Sequence, residues 1–182
     1  MLSRFKGNFR IFTVREDRSR SPRTGQVHSF YVLESADWVN CLPVTDDGQL
    51  VCIRQYRHGT RSVTLEIPGG LVDTDESPEE AAQREMREET GYAADEMIYL
   101  GSMRPNPAIM NNTCHFYLGK GAARRHGQHL DSAEDIEVVL LDVADIPRLV
   151  SSGRIVHGIS LAGLYYLDLY LRGTRPDRHG TT

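Results

Sequence analysis

The chain has 182 residues, 40% of them hydrophobic and 25% charged, which favours one globular domain with a good core. A net charge of −4 and a pI near 6.0 exclude a bulk electrostatic attraction to nucleic acid or to an anionic membrane. No apolar run approaches the ~20 residues of a membrane helix, MLSRFKGNFR has no signal-peptide core, and Cys41, Cys52 and Cys114 form no C-x-x-C. The expectation is a cytoplasmic chain whose cysteines are small buried apolar residues.

In chain order, Phe9 to Val14 and Val27 to Leu33 read as strands, joined by the polar, arginine-rich REDRSRSPRTG as a mobile hairpin loop. Trp38 to Pro43 and Leu50 to Arg54 read as a second pair turning at Asp46-Asp47-Gly48. Strand residues follow from Val63 to Ile67, and Pro68-Gly69-Gly70 breaks the strand. A helix is expected over Pro78 to Thr90: Ser77 suits the N-cap, Pro78 the first helical position, Glu80 the capping box and Gly91 the stop. Further strands are expected at Ile98 to Met103, Cys114 to Leu118 and Glu137 to Leu141. A short helix should span Ile146 to Ser152. A last one should span Ile159 to Leu171 and turn Leu164, Leu167 and Leu171 to the core, before a frayed tail, RGTRPDRHGTT. Interleaved helices and hairpin-joined strands point to an α/β fold with a mixed sheet.

The first long helix ends in REMREETGY, where Glu85, Glu88 and Glu89 share a face because residues three and four apart are neighbours on a helix. Like charges at that spacing repel, and the helix C-terminus disfavours negative charge further. Such a face is either a salt-laced surface or a set of oxygen ligands for a hard divalent cation.

The surroundings decide between these. Gly70, then Glu76, then Arg84-Glu85-Met86, Glu88-Glu89 and Gly91-Tyr92 stand at the spacing G-x5-E-x7-R-E-U-x-E-E-x-G-U. This resembles the Nudix box, the signature of hydrolases that cleave a nucleoside diphosphate linked to another group. The resemblance covers roughly Val27 to Leu171 and implies a Nudix α/β/α sandwich with a mixed sheet and an extra N-terminal β-element. It implies Glu85 and Glu89 as the main metal ligands, with Glu88 close by and the backbone carbonyl of Gly69 facing the metal, Mg²⁺ or alternatively Mn²⁺. Arg84 would orient the glutamates, Glu76 would brace the turn, and Met86 would be core.

The flanks bear on the substrate. I53-R54-Q55-Y56-R57 and L65-E66-I67-P68-G69-G70 look like the ADP-ribose and nucleoside diphosphate sugar pyrophosphatase branch. There Arg57 would contact the diphosphate, through a fork suited to phosphate, and Glu66 would lie beside the metal cluster. The segment from Met103 to Thr113, containing Arg104, sits where that branch has a proline-rich loop over the substrate, but its P-N-P-A-I-M-N-N departs from the ADP-ribose pattern. Asn111 and Asn112 either hydrogen-bond sugar hydroxyls or cap that loop. In that branch the general base comes from an acidic loop before a late strand; here the resemblance implies D131-S132-A133-E134-D135 and the residues after it, with Glu134 the first choice and Glu137 the second. Trp38, the only tryptophan, either packs in the core or a dimer interface, or stacks on a base.

The expected organisation is residues 1–37 as a dimerising β-element, 38–172 as the Nudix hydrolase domain and 173–182 as a flexible tail. The reaction implied is metal-dependent hydrolysis of a nucleoside diphosphate sugar, ADP-ribose, GDP-mannose or similar, to a nucleoside monophosphate and a sugar phosphate, by a homodimer. An ADP-ribose-selective enzyme and a non-catalytic nucleotide sensor are the rivals.

Overall fold

A computed structural model describes residues 2–132 and 134–174. Its elements are strands β1 (Leu2–Asn8), β2 (Thr13–Arg20), β3 (Val27–Glu34), β4 (Trp38–Val44), β5 (Gln49–Arg57), β6 (Ser62–Glu66) and β7 (Gly69–Leu71). Helix α1 (Pro78–Thr90) follows, then β8 (Tyr92–Ala93), β9 (Glu96–Met103), β10 (Cys114–Lys120), β11 (Ala123–Arg124), β12 (Ile136–Asp142), α2 (Ile146–Ser151) and α3 (Gly158–Leu171). Of the expected tail, Gly173 and Thr174 are described; 175–182 lie outside the described residues.

The main sheet runs β12-β5-β4-β10-β9, with β6 paired to β5 and β7 to β4. It is mixed: β4 and β10 are parallel, from Trp38 opposite Cys114 to Val44 opposite Lys120, and the other pairings are antiparallel. Alternation along β4 divides the core into two layers, because successive side chains leave a strand on opposite faces. Val39 and Cys41 meet Ala81, Ala82 and Met86 of α1, whereas Leu42 meets Phe116, Leu118, Leu164 and Leu167 on the other face. The result is the expected α/β/α sandwich. Phe116 is fully buried, and its truncation to alanine should cost about 3–5 kcal/mol.

Several expectations are corrected. The arginine-rich stretch is not a loop up to Gly25; it is strand as far as Arg20. Its charges are matched: Arg15 pairs with Asp17 on its own strand and with Glu34 across the ladder, and Lys6 pairs across the ladder with Glu16. Cross-strand ion pairs replace apolar alternation there. Phe9 to Phe12 form a tight turn closed by Phe9 N–H on Phe12 O at 2.9 Å, and the segment before it is strand β1. Gly69-Gly70 does not simply break the chain: with Leu71 it pairs against Trp38–Asn40. Leu171, at the last position of α3, is exposed, so Leu164 and Leu167 but not Leu171 join the core. The three cysteines are buried and free, as expected.

β1, β2 and β3 form a separate antiparallel sheet, tied to the rest through Leu33 N–H on Ile109 O at 2.7 Å. No helix among the described residues is long and apolar enough to cross a membrane.

Candidate active site

The site is built on the turn from β7 into α1. Ser77 caps α1: its Oγ accepts the Glu80 N–H at 3.3 Å, while the Glu80 carboxylate accepts the Ser77 N–H at 2.8 Å. Gly91 ends the helix at φ 74°, a left-handed conformation that glycine adopts without a Cβ penalty. The loop between is held by charge. Glu76 accepts the Asp73 N–H at 2.9 Å and the Arg84 guanidinium at 2.6 and 3.1 Å. Arg84 also donates to Glu85 at 2.8 Å, Glu88 at 3.2 Å and the Leu71 carbonyl at 3.0 Å. One guanidinium therefore fixes three glutamates and the strand before them. A Cβ at Gly70 would overlap the Glu85 carboxylate, so the first glycine of the box is set by close approach.

The carboxylates differ. Glu89 is 3% exposed and accepts the Gly69 N–H at 2.8 Å. Burial, chiefly, pushes its pKa up to about 8; the Gly69 bond opposes this, and the charges of Glu85 and Glu134 add to it. Burial likewise raises Glu85, against the pull of Arg84. Among the described residues no three carboxylate, imidazole or thiol groups converge as a ready cage. The donors nevertheless fit a hard divalent cation: they are oxygen-only, adjacent, desolvated and mutually repelling.

Beside this cluster lies a cavity of about 620 Å³, walled by Trp38, Asn40, Arg57, Gly69–Leu71 and the entry into α3, residues 156–159. Arg57 also lines a second depression of about 470 Å³ with Gln55, Tyr56, His58 and Asp135, and so stands between the two. It is aimed by Glu66, which is 2% exposed and accepts two parallel bonds from the guanidinium at 2.8 and 2.6 Å. Burial works against the Glu66 charge, but Arg57 and Thr64 outweigh it and hold the carboxyl below its usual range. His157 approaches the same carboxylate at 3.2 Å and Ser160 Oγ at 2.9 Å; burial lowers its pKa, against the attraction of Glu66.

The structure brings Glu134 near the cluster, close enough for its charge to bear on Arg57, Glu85 and Glu89. It does not bring Glu137 there: opposite Arg54 on the outer sheet face, Glu137 is exposed and ion-paired at 3.2 Å. Arg104 is exposed and, like Asn111, is not in the cavity wall. Asn111 accepts the Ser35 N–H at 3.3 Å and Asn112 donates to Ala36 O at 3.3 Å, so both fasten their loop to the linker before β4. Sequence reasoning missed His157, Asn40 and Gln128. Asn40 lines the cavity with a buried Oδ1 that has no hydrogen-bond partner among the described residues. Nothing local in the sequence signals these residues, since each gains its place from a distant segment.

A NUDIX domain profile matches residues 35–157, about two thirds of the chain. The chain belongs to the Nudix family. This Nudix chain is 34% identical over 165 residues to the ADP compounds hydrolase NudE of Escherichia coli, covering 90% of its own length and 88% of the relative. It is 30% identical over 132 residues to an ADP-ribose pyrophosphatase of Bacillus subtilis, covering 72% and 71%. A crystal structure of an ADP compounds hydrolase shares the fold, with a TM-score of 0.83 at 23% identity over 95% of this chain and 93% of that one.

Proposed function

We propose that this protein hydrolyses the diphosphate bond of nucleoside diphosphate sugars, with Mg²⁺ as the cofactor and Mn²⁺ as a substitute. The observation that carries the reading is the placement of Arg57 between two cavities and beside the buried glutamates, where a diphosphate would lie with a substituent on either side. Glu85 and Glu89 would hold the cation, with Glu88 and the Gly69 carbonyl at hand. When bound, it supplies charge neutralisation to the diphosphate and acidity to water. Arg57, locked by Glu66, would bind diphosphate oxygens. Glu134 would accept the proton of the attacking water as its oxygen bonds to phosphorus and the bridging P–O bond breaks. The products are a nucleoside monophosphate and a sugar phosphate. Trp38 would offer an aromatic face to the part of the substrate in the larger cavity.

The names of the relatives, both for ADP compounds, favour an adenosine diphosphate preference as the second reading. A panel of ADP-ribose, GDP-mannose and UDP-glucose with Mg²⁺ or Mn²⁺, read by phosphate release after phosphatase coupling, separates the two. No released phosphomonoester from any of them would leave a nucleotide sensor instead. Arg57→Lys should raise KM about tenfold while leaving kcat nearly intact, because the bidentate fork is lost but the charge is kept.

We further propose residues 1–37 as a self-association element and 38–172 as the catalytic domain of a homodimer. Leu2, Phe5, Phe9, Ile11, Phe30 and Tyr31 are exposed on the N-terminal sheet and its turn, a density of apolar surface typical of an interface. Light scattering of the full chain and of a chain lacking residues 1–34 tests this: a dimer and a monomer are expected. Three free buried cysteines agree with a cytoplasmic setting.

A further inference from the structure

We infer that Gln128 is a positioning residue that sets the loop carrying Glu134 against the glutamate-bearing end of α1; this rests on the roles proposed above for Glu134 and Glu89. The side-chain amide of Gln128 has two N–H donors. It donates to the Glu89 carbonyl at 2.7 Å and to the Ile136 carbonyl at 3.2 Å. Both partners are acceptors only, which fixes the orientation of the amide. Glu89 is the most buried glutamate of the box, and Ile136 opens β12 two residues after Glu134.

The last carbonyls of a helix have no partner within it. The segment after β11 supplies partners here: His129 N–H on Glu88 O at 2.9 Å, and Arg125 and His126 N–H on Gly91 O at 3.0 Å each. Those three donors are backbone groups that any residue type except proline would provide. Of the described donors of this segment to the end of α1, Gln128 alone acts through its side chain and alone reaches β12 as well. A cap would need only the Glu89 bond; the Ile136 bond makes a tether between the end of α1 and the start of β12. Glu134 is otherwise held within its own turn, where its N–H meets Asp131 O and its carboxylate accepts the Asp131 N–H, each at 2.9 Å. Proton transfer requires hydrogen-bond reach, so an unanchored loop costs rate before it costs binding.

The test uses the full chain with Mg²⁺ and ADP-ribose, and the same chain metal-free for amide hydrogen exchange. Gln128→Leu removes both donors without adding charge, Gln128→Glu keeps the shape but cannot donate to carbonyls, and Gln128→Asn keeps the donors on a shorter arm. Well below the unfolding midpoint, Gln128→Leu and Gln128→Glu should lower kcat about 10- to 100-fold with KM within about twofold, the range for residues that orient metal-site groups. Exchange over 134–137 should quicken in the metal-free variants, and Gln128→Asn should fall between them and wild type. A lowered melting midpoint with kcat and loop exchange unchanged would mean a helix cap alone and would overturn the inference. If wild type releases no phosphate from any sugar nucleotide, the proposed reaction fails. The exchange result then decides the tether by itself: faster exchange upholds it and unchanged exchange removes it.

Discussion

The two long helices reach the same site with opposite ends. α1 brings its C-terminal half, where Glu85, Glu88 and Glu89 crowd carboxyl groups at the negative end of the helix dipole. α3 brings its N-terminus: Gly158 and Ile159 line the large cavity, and the first N–H groups of a helix have no internal acceptors. The crowding on α1 is tolerated because Arg84 spans Glu76, Glu85 and Glu88, and because donors from Arg125 to His129 satisfy its terminal carbonyls. The contrast separates an end suited to a cation from an end suited to an anion, with the Gly69–Leu71 strand between them.

The contrast breaks most severely at Glu89. Glu89→Gln keeps the hydrogen-bonding volume but loses the charge; kcat should fall about 10³-fold or more with the fold intact by circular dichroism. Wild-type turnover in that variant would remove Glu89 from the metal assignment. Glu134→Gln should lower kcat about 10²- to 10⁴-fold, the range for loss of a general base, with little change in KM. An unchanged pH–rate profile in that variant would rule it out as the base.

Much of α1 was legible because its signals are local. Ser77, Pro78, Glu80 and Gly91 are start and stop residues that act within a few positions of themselves, and the helix bounds agree with the expectation. The box was legible for the same reason. β1 and β2 were not: Leu2–Asn8 and Thr13–Arg20 show no clean alternation, and their pairing depends on ion pairs between strands. β7 was invisible because a glycine pair becomes a strand only against Trp38–Asn40. Within the site, the box spacing placed the glutamates, whereas the walls of the cavity come from residues up to about a hundred positions away, such as His157 beside Glu66. Glu137 is the instructive near miss: three residues after Glu134, but on a strand whose register turns it outward to Arg54.

The remaining predictions concern stability. The folded pKa of Glu66 lies below its ordinary value of 4.5, so its ionised form favours folding. That contribution is complete above the unfolded value and is lost as pH falls through the folded one. Thermal unfolding of metal-free protein from pH 7 to pH 3 should therefore show an acid limb that Glu66→Gln flattens. At pH 7 that variant should lose about 1–2 kcal/mol, less than for a fully buried pair because Arg57 keeps access to solvent. A limb of unchanged steepness would place the acid sensitivity elsewhere. The smallest effect is expected at Ser77→Ala, about 1 kcal/mol in denaturant unfolding, with kcat preserved, since the cap lies at the opposite end of α1 from Glu85, Glu88 and Glu89.

Trp38 has a consequence of a different kind. It is the only tryptophan in the chain, and it stands partly exposed in the wall of the large cavity. Tryptophan emission from this protein therefore arises at a single place, next to Asn40 and across the sheet from Gly70 and Leu71. A nucleotide entering the cavity would report its own arrival as quenching or a spectral shift, without a label and without turnover.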